Sequence, residues 1–234
     1  MKKKRILSIA DIHGEFDRFI ALLNKVKFNP NEDQLILQGD YVDRGDQNID
    51  CLMKVIELQK QGAIVLGGNH EEFLKEGLNE LLFGQSQKTY GGLELWVGYN
   101  GGVKTYNELK NLNNEQLNKI FKFICRLPNF VQWKEFIFVH AGVDSTKPLE
   151  KNDKDDFIWS REQFIWCPAY KDQIVIFGHT PTCNLYPYDK APEMSKSKIW
   201  YDSKYKDKIG IDCGSVFGGR LACLELPDFK EYYV

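Results

Sequence analysis

The sequence predicts an α/β protein, with a mixed sheet core, helices outside it and an antiparallel β region toward the C-terminus. Three observations predict it. Short apolar runs recur along the chain, and each ends in a polar or glycine-rich turn. Most are near-continuous rather than alternating, as strands covered on both faces require. Between the early runs the apolar residues fall at spacings of three and four, the period of a helix with one buried face. Finally, the 234 residues are 43% hydrophobic and 27% charged, with no repeat, Ser/Gly linker or low-complexity tract. That composition excludes a disordered chain, and the length is one a single domain reaches.

The elements follow in order. Residues 1–5 are basic and residues 6–10 apolar, before Asp11 and His13. Five apolar residues fall short of the roughly 7–15 in a signal peptide core, so a first strand and a cytoplasmic location are expected. Phe16, Phe19, Ile20 and Leu23 form a helical stripe. Residues 35–38 read as the second strand. Leu52, Val55, Ile56 and, less cleanly, Leu58 mark a second helix, and residues 63–66 a third strand. Residues 90–102 (YGGLELWVGYNGG) read as a glycine-rich loop, either a flap over a site or, more plainly, a loop packed down by Trp96. Leu117, Ile120, Phe121 and Ile124 form a third helical stripe, with Asn113 or Asn114 as its N-cap. Residues 136–139, 174–177 and 209–211 read as further strands.

From 190 to 220 the chain is rich in lysine, aromatics and glycine turns, and reads as hairpins. Lys190, Lys196, Lys198, Lys204, Lys206 and Lys208 are diluted by Asp189, Glu193, Asp202 and Asp207. They read as a solvated edge where lysines discourage further pairing, rather than as a docking surface for an acidic partner. Net charge is −2, so no basic field argues for nucleic acid. No apolar run approaches the ~20 residues of a membrane span. The cysteines (Cys51, Cys125, Cys167, Cys183, Cys213, Cys223) form no CxxC pair and are expected as reduced, buried thiols.

The chemistry sits at the ends of the strands. The chain has four histidines, and each follows an expected strand closely: His13 in DIHG, His70 in GGNHE, His140 in HAG and His179 in GHT. In open α/β folds ligands bind beyond the carboxyl ends of strands, so four histidines delivered there imply one shared site. Asp11 stands two residues before His13. GDYVDRG at 39–45 places Asp40 at a strand end, then Asp43 and Arg44 in the turn, with glycines that let the backbone bend. Imidazole, carboxylate and amide oxygen together suit Mn, Fe or Zn rather than calcium. Asp11, His13, Asp40, Asn69, His140 and His179 are too many for one open ion. Two ions about 3.5–4 Å apart, sharing a carboxylate, would use them all.

DIHG, GDYVDRG, GNHE, HAG and GHT, in this order, resemble the PPP-type serine/threonine protein phosphatases, especially the compact bacterial and phage branch of the calcineurin-like metallophosphoesterases. NGG at 100–102, DFIWSREQF at 156–164 and IDCGSVFGGRLACLEL at 211–226 extend the resemblance over nearly the whole chain. It implies one metallophosphoesterase domain over 1–234, a β-sandwich of two mixed sheets flanked by helices in α/β/β/α layers.

The resemblance also implies roles. Asp11 and His13 would hold the first metal, Asp40 would bridge, and Asn69, His140 and His179 would complete the second site, with Mn the leading ion. His70, oriented by Asp43, would be the general acid, and Arg44 and Arg161 would grip the phosphoryl oxygens. Ala10 stands where the family usually has glycine, a modest change at the strand end.

The implied activity is hydrolysis of phosphoserine and phosphothreonine in proteins by in-line attack of a metal-bridging hydroxide. The cysteine-phosphatase pattern HCx5R and the nucleotide P-loop are absent. The nearest alternative is a dinucleoside polyphosphate hydrolase of the diadenosine tetraphosphate type, whose mark would be an adenine pocket from Trp96 and Tyr99. A binding protein with an inactive phosphatase core is disfavoured, because every expected ligand and His70 are present.

Overall fold

A computed structural model describes residues 5–85 and 89–234. Its elements run β1 (Arg5–Ile9), α1 (Phe16–Lys25), β2 (Asp33–Leu37), α2 (Asn48–Lys60), β3 (Ile64–Val65), α3 (Asn69–Phe83), α4 (Gly92–Tyr99), α5 (Val103–Leu109), α6 (Asn114–Ile124), β4 (Phe130–Trp133), β5 (Phe136–Val139), α7 (Lys154–Trp159), α8 (Glu162–Trp166), β6 (Ile174–Phe177), β7 (Trp200–Tyr201), β8 (Lys208–Gly210), β9 (Ala222–Leu226) and β10 (Lys230–Tyr233). Two five-stranded sheets result, ordered β10-β9-β1-β2-β3 and β4-β5-β6-β8-β7. Both are mixed. β1, β2 and β3 are parallel, with β9 and β10 added antiparallel. β5, β6 and β8 are parallel, with β4 and β7 antiparallel at the edges.

Side-chain alternation along the strands builds three apolar layers. Ile6, Ile36, Phe136, Phe138, Ile176 and Leu224 fill the space between the sheets. Leu7, Ile9, Leu35 and Leu37 face the other way, onto α1, α2, α3 and α6. Ile137, Val139, Val175 and Phe177 pack against α7 and α8. The order is therefore helices, sheet, sheet, helices, as the family resemblance implies. Gln38, just past β2, spans the two sheets. Its amide donates to the carbonyls of Val139 (2.6 Å) and Ile176 (2.7 Å) and its oxygen accepts from Ser8 Oγ.

The helical stripes of α1, α2 and α6 lie where their spacing placed them. Asn113 caps α6: its side chain accepts from Gln116 N–H (2.9 Å), and the Gln116 side chain accepts from Asn113 N–H (3.0 Å). Such reciprocal capping contributes about 0.5–2 kcal/mol.

Two expectations need correction. Residues 92–99 are a helix, not a loop; burial of Trp96 against α3 outweighs the poor helix propensity of its glycines. Residues 190–220 hold one short hairpin, β7 with β8, and are otherwise built from 3-10 turns such as Met194–Lys196 and Ser215–Phe217. Gly214 and Gly218 take left-handed backbone around the second of these, so glycine there closes a helical turn rather than a hairpin. The antiparallel pairing beyond residue 220 lies in β9 and β10. Among the described residues no helix is long and apolar enough to cross a membrane; all six cysteines are free thiols, but Cys125 and Cys167 are exposed rather than buried, because each lies just past the end of a surface helix.

Candidate active site

The parallel strands of both sheets end at one place. Asp11 and His13 follow β1, Asp40, Asp43 and Arg44 follow β2, His140 follows β5 and His179 follows β6, while Asn69 and His70 open α3. The backbone there is unusual. Of the eleven non-glycine residues with positive φ among the described residues, six are Asp11, His13, Asp40, Asp43, Arg44 and His179. Left-handed backbone costs on the order of 1–3 kcal/mol per residue and gathers at functional sites. Gly68 permits close approach, since a Cβ there would stand 2.3 Å from Asp40 Oδ1.

Asp40 is the centre. Its Oδ1 lies 3.4 Å from His140 Nε2, and its Oδ2 lies 3.5 Å from His13 Nε2 and 3.9 Å from His70 Nε2. Two clusters of donor atoms, each within 4.8 Å, share it: His13–Asp40–His70 and Asp40–His140–His179. His140 Nδ1 lies 2.8 Å from the carbonyl of Gln38, to which it donates, so Nε2 presents a lone pair. That lone pair faces Asn69 Oδ1 at 3.0 Å and His179 Nδ1 at 3.1 Å. His13 Nδ1 likewise donates to the Val42 carbonyl (2.9 Å). Metal-binding histidines are usually oriented this way, by a partner on the other ring nitrogen.

Lone pairs thus converge, and the buried His179 Nε2 has no partner among the described residues. A nitrogen, carboxylate and amide-oxygen set of this kind fits divalent transition ions.

The electrostatics agree. Burial would raise the Asp40 carboxyl, but the His140, His70, His13 and His179 imidazoles around it hold it far below the usual carboxylate range. Burial pushes His13, His140 and His179 below the ordinary histidine value, which favours the neutral form that ligates. Burial, with Asp212 and Asp40 nearby, pushes Asp11 up. Burial lowers His70 too, yet Asp40 and the hydrogen-bonded Asp43 outweigh it and raise the imidazole. His70 Nδ1 donates to Asp43 Oδ2 at 2.7 Å.

The structure brings His13, Asp40, Asn69, His140 and His179 together, with His70 and Asp43 paired beside them. Asp11 is placed differently: it belongs to neither donor cluster, and both its oxygens accept from His179 N–H at 3.0 Å. Its carboxylate is turned toward the loop that carries His179, because that loop otherwise leaves the N–H without an acceptor. Arg44 Nη1 lies 2.6 Å from His13 Nε2, and its guanidinium sits over the Phe217 ring at 5.2 Å. Arg161 is anchored to Thr180 Oγ1 at 3.1 Å.

Sequence reasoning missed four contributors. Glu71, the last residue of GNHE, is buried and accepts from the N–H groups of Asp40 (2.8 Å), Tyr41 (2.9 Å) and Gly68 (2.9 Å), tying the two loops together. Burial beside Asp40 pushes it up to about 8. Asp212, in IDCG, is a second buried carboxyl, pushed up to about 6 by burial. Trp96 and Thr105 both bond Asp43. The motif itself could have flagged Glu71; nothing local flags the others.

Residues 4–183 match the calcineurin-like phosphoesterase family. The chain is 26% identical to the asymmetrical bis(5'-nucleosyl)-tetraphosphatase PrpE of Anoxybacillus flavithermus, over 97% of this chain and 92% of that protein. It is 28% identical to serine/threonine-protein phosphatase 1 of Salmonella typhimurium, over 93% of this chain and 90% of that one. Among solved structures, a putative diadenosine tetraphosphatase superposes with a TM-score of 0.70 at 19% identity, covering 98% of this chain and 92% of the other.

Proposed function

The chain belongs to the calcineurin-like phosphoesterase family of metal-dependent phosphoester hydrolases, and on that premise we propose that it hydrolyses phosphoserine and phosphothreonine in proteins, through one domain spanning the chain. The observation that carries this reading is the His70–Asp43 pair beside the two donor clusters that share Asp40. A serine or threonine alkoxide is a poor leaving group and needs a proton. An imidazole raised by two carboxylates is suited to give one near neutral pH. A nucleotide leaving a polyphosphate departs as a stabilised anion and needs that proton far less.

Two divalent ions, Mn foremost, would be held by His13, Asp40, Asn69, His140 and His179 with Asp11 beside them, and would supply Lewis acidity that acidifies water and offsets phosphoryl charge. The protein's own groups do the rest. Asp40 stands between the clusters and sets their separation. Arg44 and Arg161 offer N–H donors to the phosphoryl oxygens at the rim. His70 delivers its Nε2 proton to the leaving oxygen, and Asp43 holds the ring by Nδ1.

The adenine pocket that would favour a dinucleoside polyphosphate is not supported by Trp96, whose ring is 0% exposed. A second reading keeps support from another ring. Phe217 is half exposed and lies against Arg44, where a base could stack beside the phosphoryl group.

The test is a substrate panel in Mn: a phosphoserine peptide, p-nitrophenyl phosphate and diadenosine tetraphosphate, with wild type and His70→Asn. The peptide is expected to turn over. His70→Asn is expected to lose roughly 10²–10⁴ in kcat on the peptide, the scale of general acid catalysis, and less on p-nitrophenyl phosphate. Turnover of the dinucleotide without the peptide overturns the protein-phosphatase reading. Equal losses on peptide and aryl phosphate remove the acid role of His70.

A further inference from the structure

We propose that Trp96 is a positioning residue that holds the His70–Asp43 pair in its proton-donating geometry; this rests on the reading of His70 as the proton donor. Asp43 is fully buried and its two oxygens receive three side-chain donors. Oδ2 accepts from His70 Nδ1 and from Trp96 Nε1, each at 2.7 Å. Oδ1 accepts from the Thr105 hydroxyl at 2.5 Å, and Thr105 Oγ1 accepts from Asp43 N–H at 3.1 Å.

Each carboxylate oxygen has two lone-pair directions. With the indole N–H on one direction of Oδ2, the imidazole takes the other. The carboxylate cannot then turn about its Cβ–Cγ bond without giving up all three contacts. A ring held by Nδ1 on a fixed oxygen keeps Nε2 aimed at the Asp40 side of the cluster, where it lies 3.9 Å from Oδ2.

The surroundings of the indole are shaped for this contact. A Cβ on Gly77 would stand 2.4 Å from Trp96 Cζ3, and one on Gly102 would stand 2.4 Å from Nε1, so the ring occupies a slot open only because both positions are glycine. Gly77 lies on α3, the helix that begins with Asn69 and His70. The indole therefore bridges the helix that carries His70 and the loop that carries Asp43.

The same segment also grips the residue after Asp43. Arg44 N–H donates to the Gly101 carbonyl at 3.0 Å, and Lys104 Nζ donates to the Arg44 carbonyl at 3.0 Å. Asp43 and Arg44 both hold left-handed backbone, with φ of 76° and 72°, a conformation that needs such external support. Residues 92–109 thus act as a clamp on the 43–44 turn, with the indole N–H as its contact to the reacting pair.

A ring that only fills space would serve as well without its N–H, and that difference is measurable. Trp96→Phe keeps an aromatic ring and removes the donor. Its kcat is expected to fall about 10-fold on a phosphoserine peptide, a fraction of the 10²–10⁴ that acid catalysis supplies. On p-nitrophenyl phosphate, whose leaving group needs little protonation, the fall is expected to stay within about 3-fold. KM on both is expected to stay within about 2-fold, as for an interaction made only in the transition state. In the His70→Asn background Trp96→Phe is expected to add nothing, because the ring it positions is gone.

Equal losses on the two substrates, or losses that multiply in the double variant, overturn the proposal and leave Trp96 as packing. If His70→Asn alone loses equally on both substrates, the acid role of His70 has failed and the proposal falls with it. If His70→Asn splits the substrates and Trp96→Phe does not, only the proposal falls. Thr105→Val, which removes the other donor at nearly constant shape, gives the same split on a smaller scale and decides the matter should Trp96→Phe fail to fold.

Discussion

Strands β1 and β2 carry a cluster of charge at each end, and the two clusters are built on opposite principles. At the start of the strands Arg5 donates through Nε to Asp33 Oδ1 (2.9 Å), through Nη1 to Glu225 Oε2 (2.6 Å), and through Nη2 to Asp33 Oδ2 (3.1 Å) and the Val26 carbonyl (2.7 Å). Tyr232 adds a hydroxyl to Glu225 at 3.0 Å. Here acceptors meet donors. At the far end the His140 Nε2 lone pair faces the oxygens of Asp40 and Asn69, acceptor against acceptor. Buried charge occurs at both ends, so burial alone does not mark a site. The mark is a convergence of lone pairs, of the kind a bound cation satisfies.

The largest test of this contrast is Asp40→Asn. Loss of supporting partners costs metal sites about 10–100-fold in affinity, and loss of the shared carboxylate is expected to exceed about 100-fold at both ions together, with hydrolysis lost alongside. Elemental analysis after dialysis reads it, and two ions at full occupancy would break the shared-ligand reading. Next is Arg5→Gln. Removing one partner of a buried ion cluster costs about 3–5 kcal/mol; the guanidinium is 25% exposed, so about 2–4 kcal/mol is expected in a urea melt, with kcat per folded molecule unchanged. A loss of turnover there would show that the two ends are coupled.

The smallest effect is acid dependence. Burial opposes ionisation of Glu225, but the Arg5 and Tyr232 hydrogen bonds prevail and hold it below its ordinary 4.5. A depressed carboxyl contributes stability above its unfolded value and loses it as pH falls through the folded one. Wild-type stability is expected to drop below about pH 4.5, and that of Arg5→Gln to drop less steeply, in melts taken across that range.

Much of this was legible in the chain itself. Each histidine and aspartate of the site follows an apolar run, and runs, stripes and turn signals are local features. The capped start of α6 at Asn113 was legible for the same reason: a cap involves residues three apart. Residues 92–99 were not, because glycine-rich text reads as loop and only packing on α3 makes it helix. The hairpins expected between 190 and 220 failed similarly, since glycine and proline announce a turn without stating its kind.

The sequence by itself determined strands β1, β2, β3, β5, β6 and β8, helices α1, α2 and α6, the family, and the residue types delivered to the strand ends. Those follow from periodicity and motif, which act over a few positions. Tertiary structure alone decided that Asp11 turns to the His179 N–H 168 residues away and that Trp96 reaches Asp43 across 53. These are hydrogen bonds between segments with no local relation. Their partners are chosen by where the sandwich brings the strand ends together, and no spacing along the chain encodes that choice.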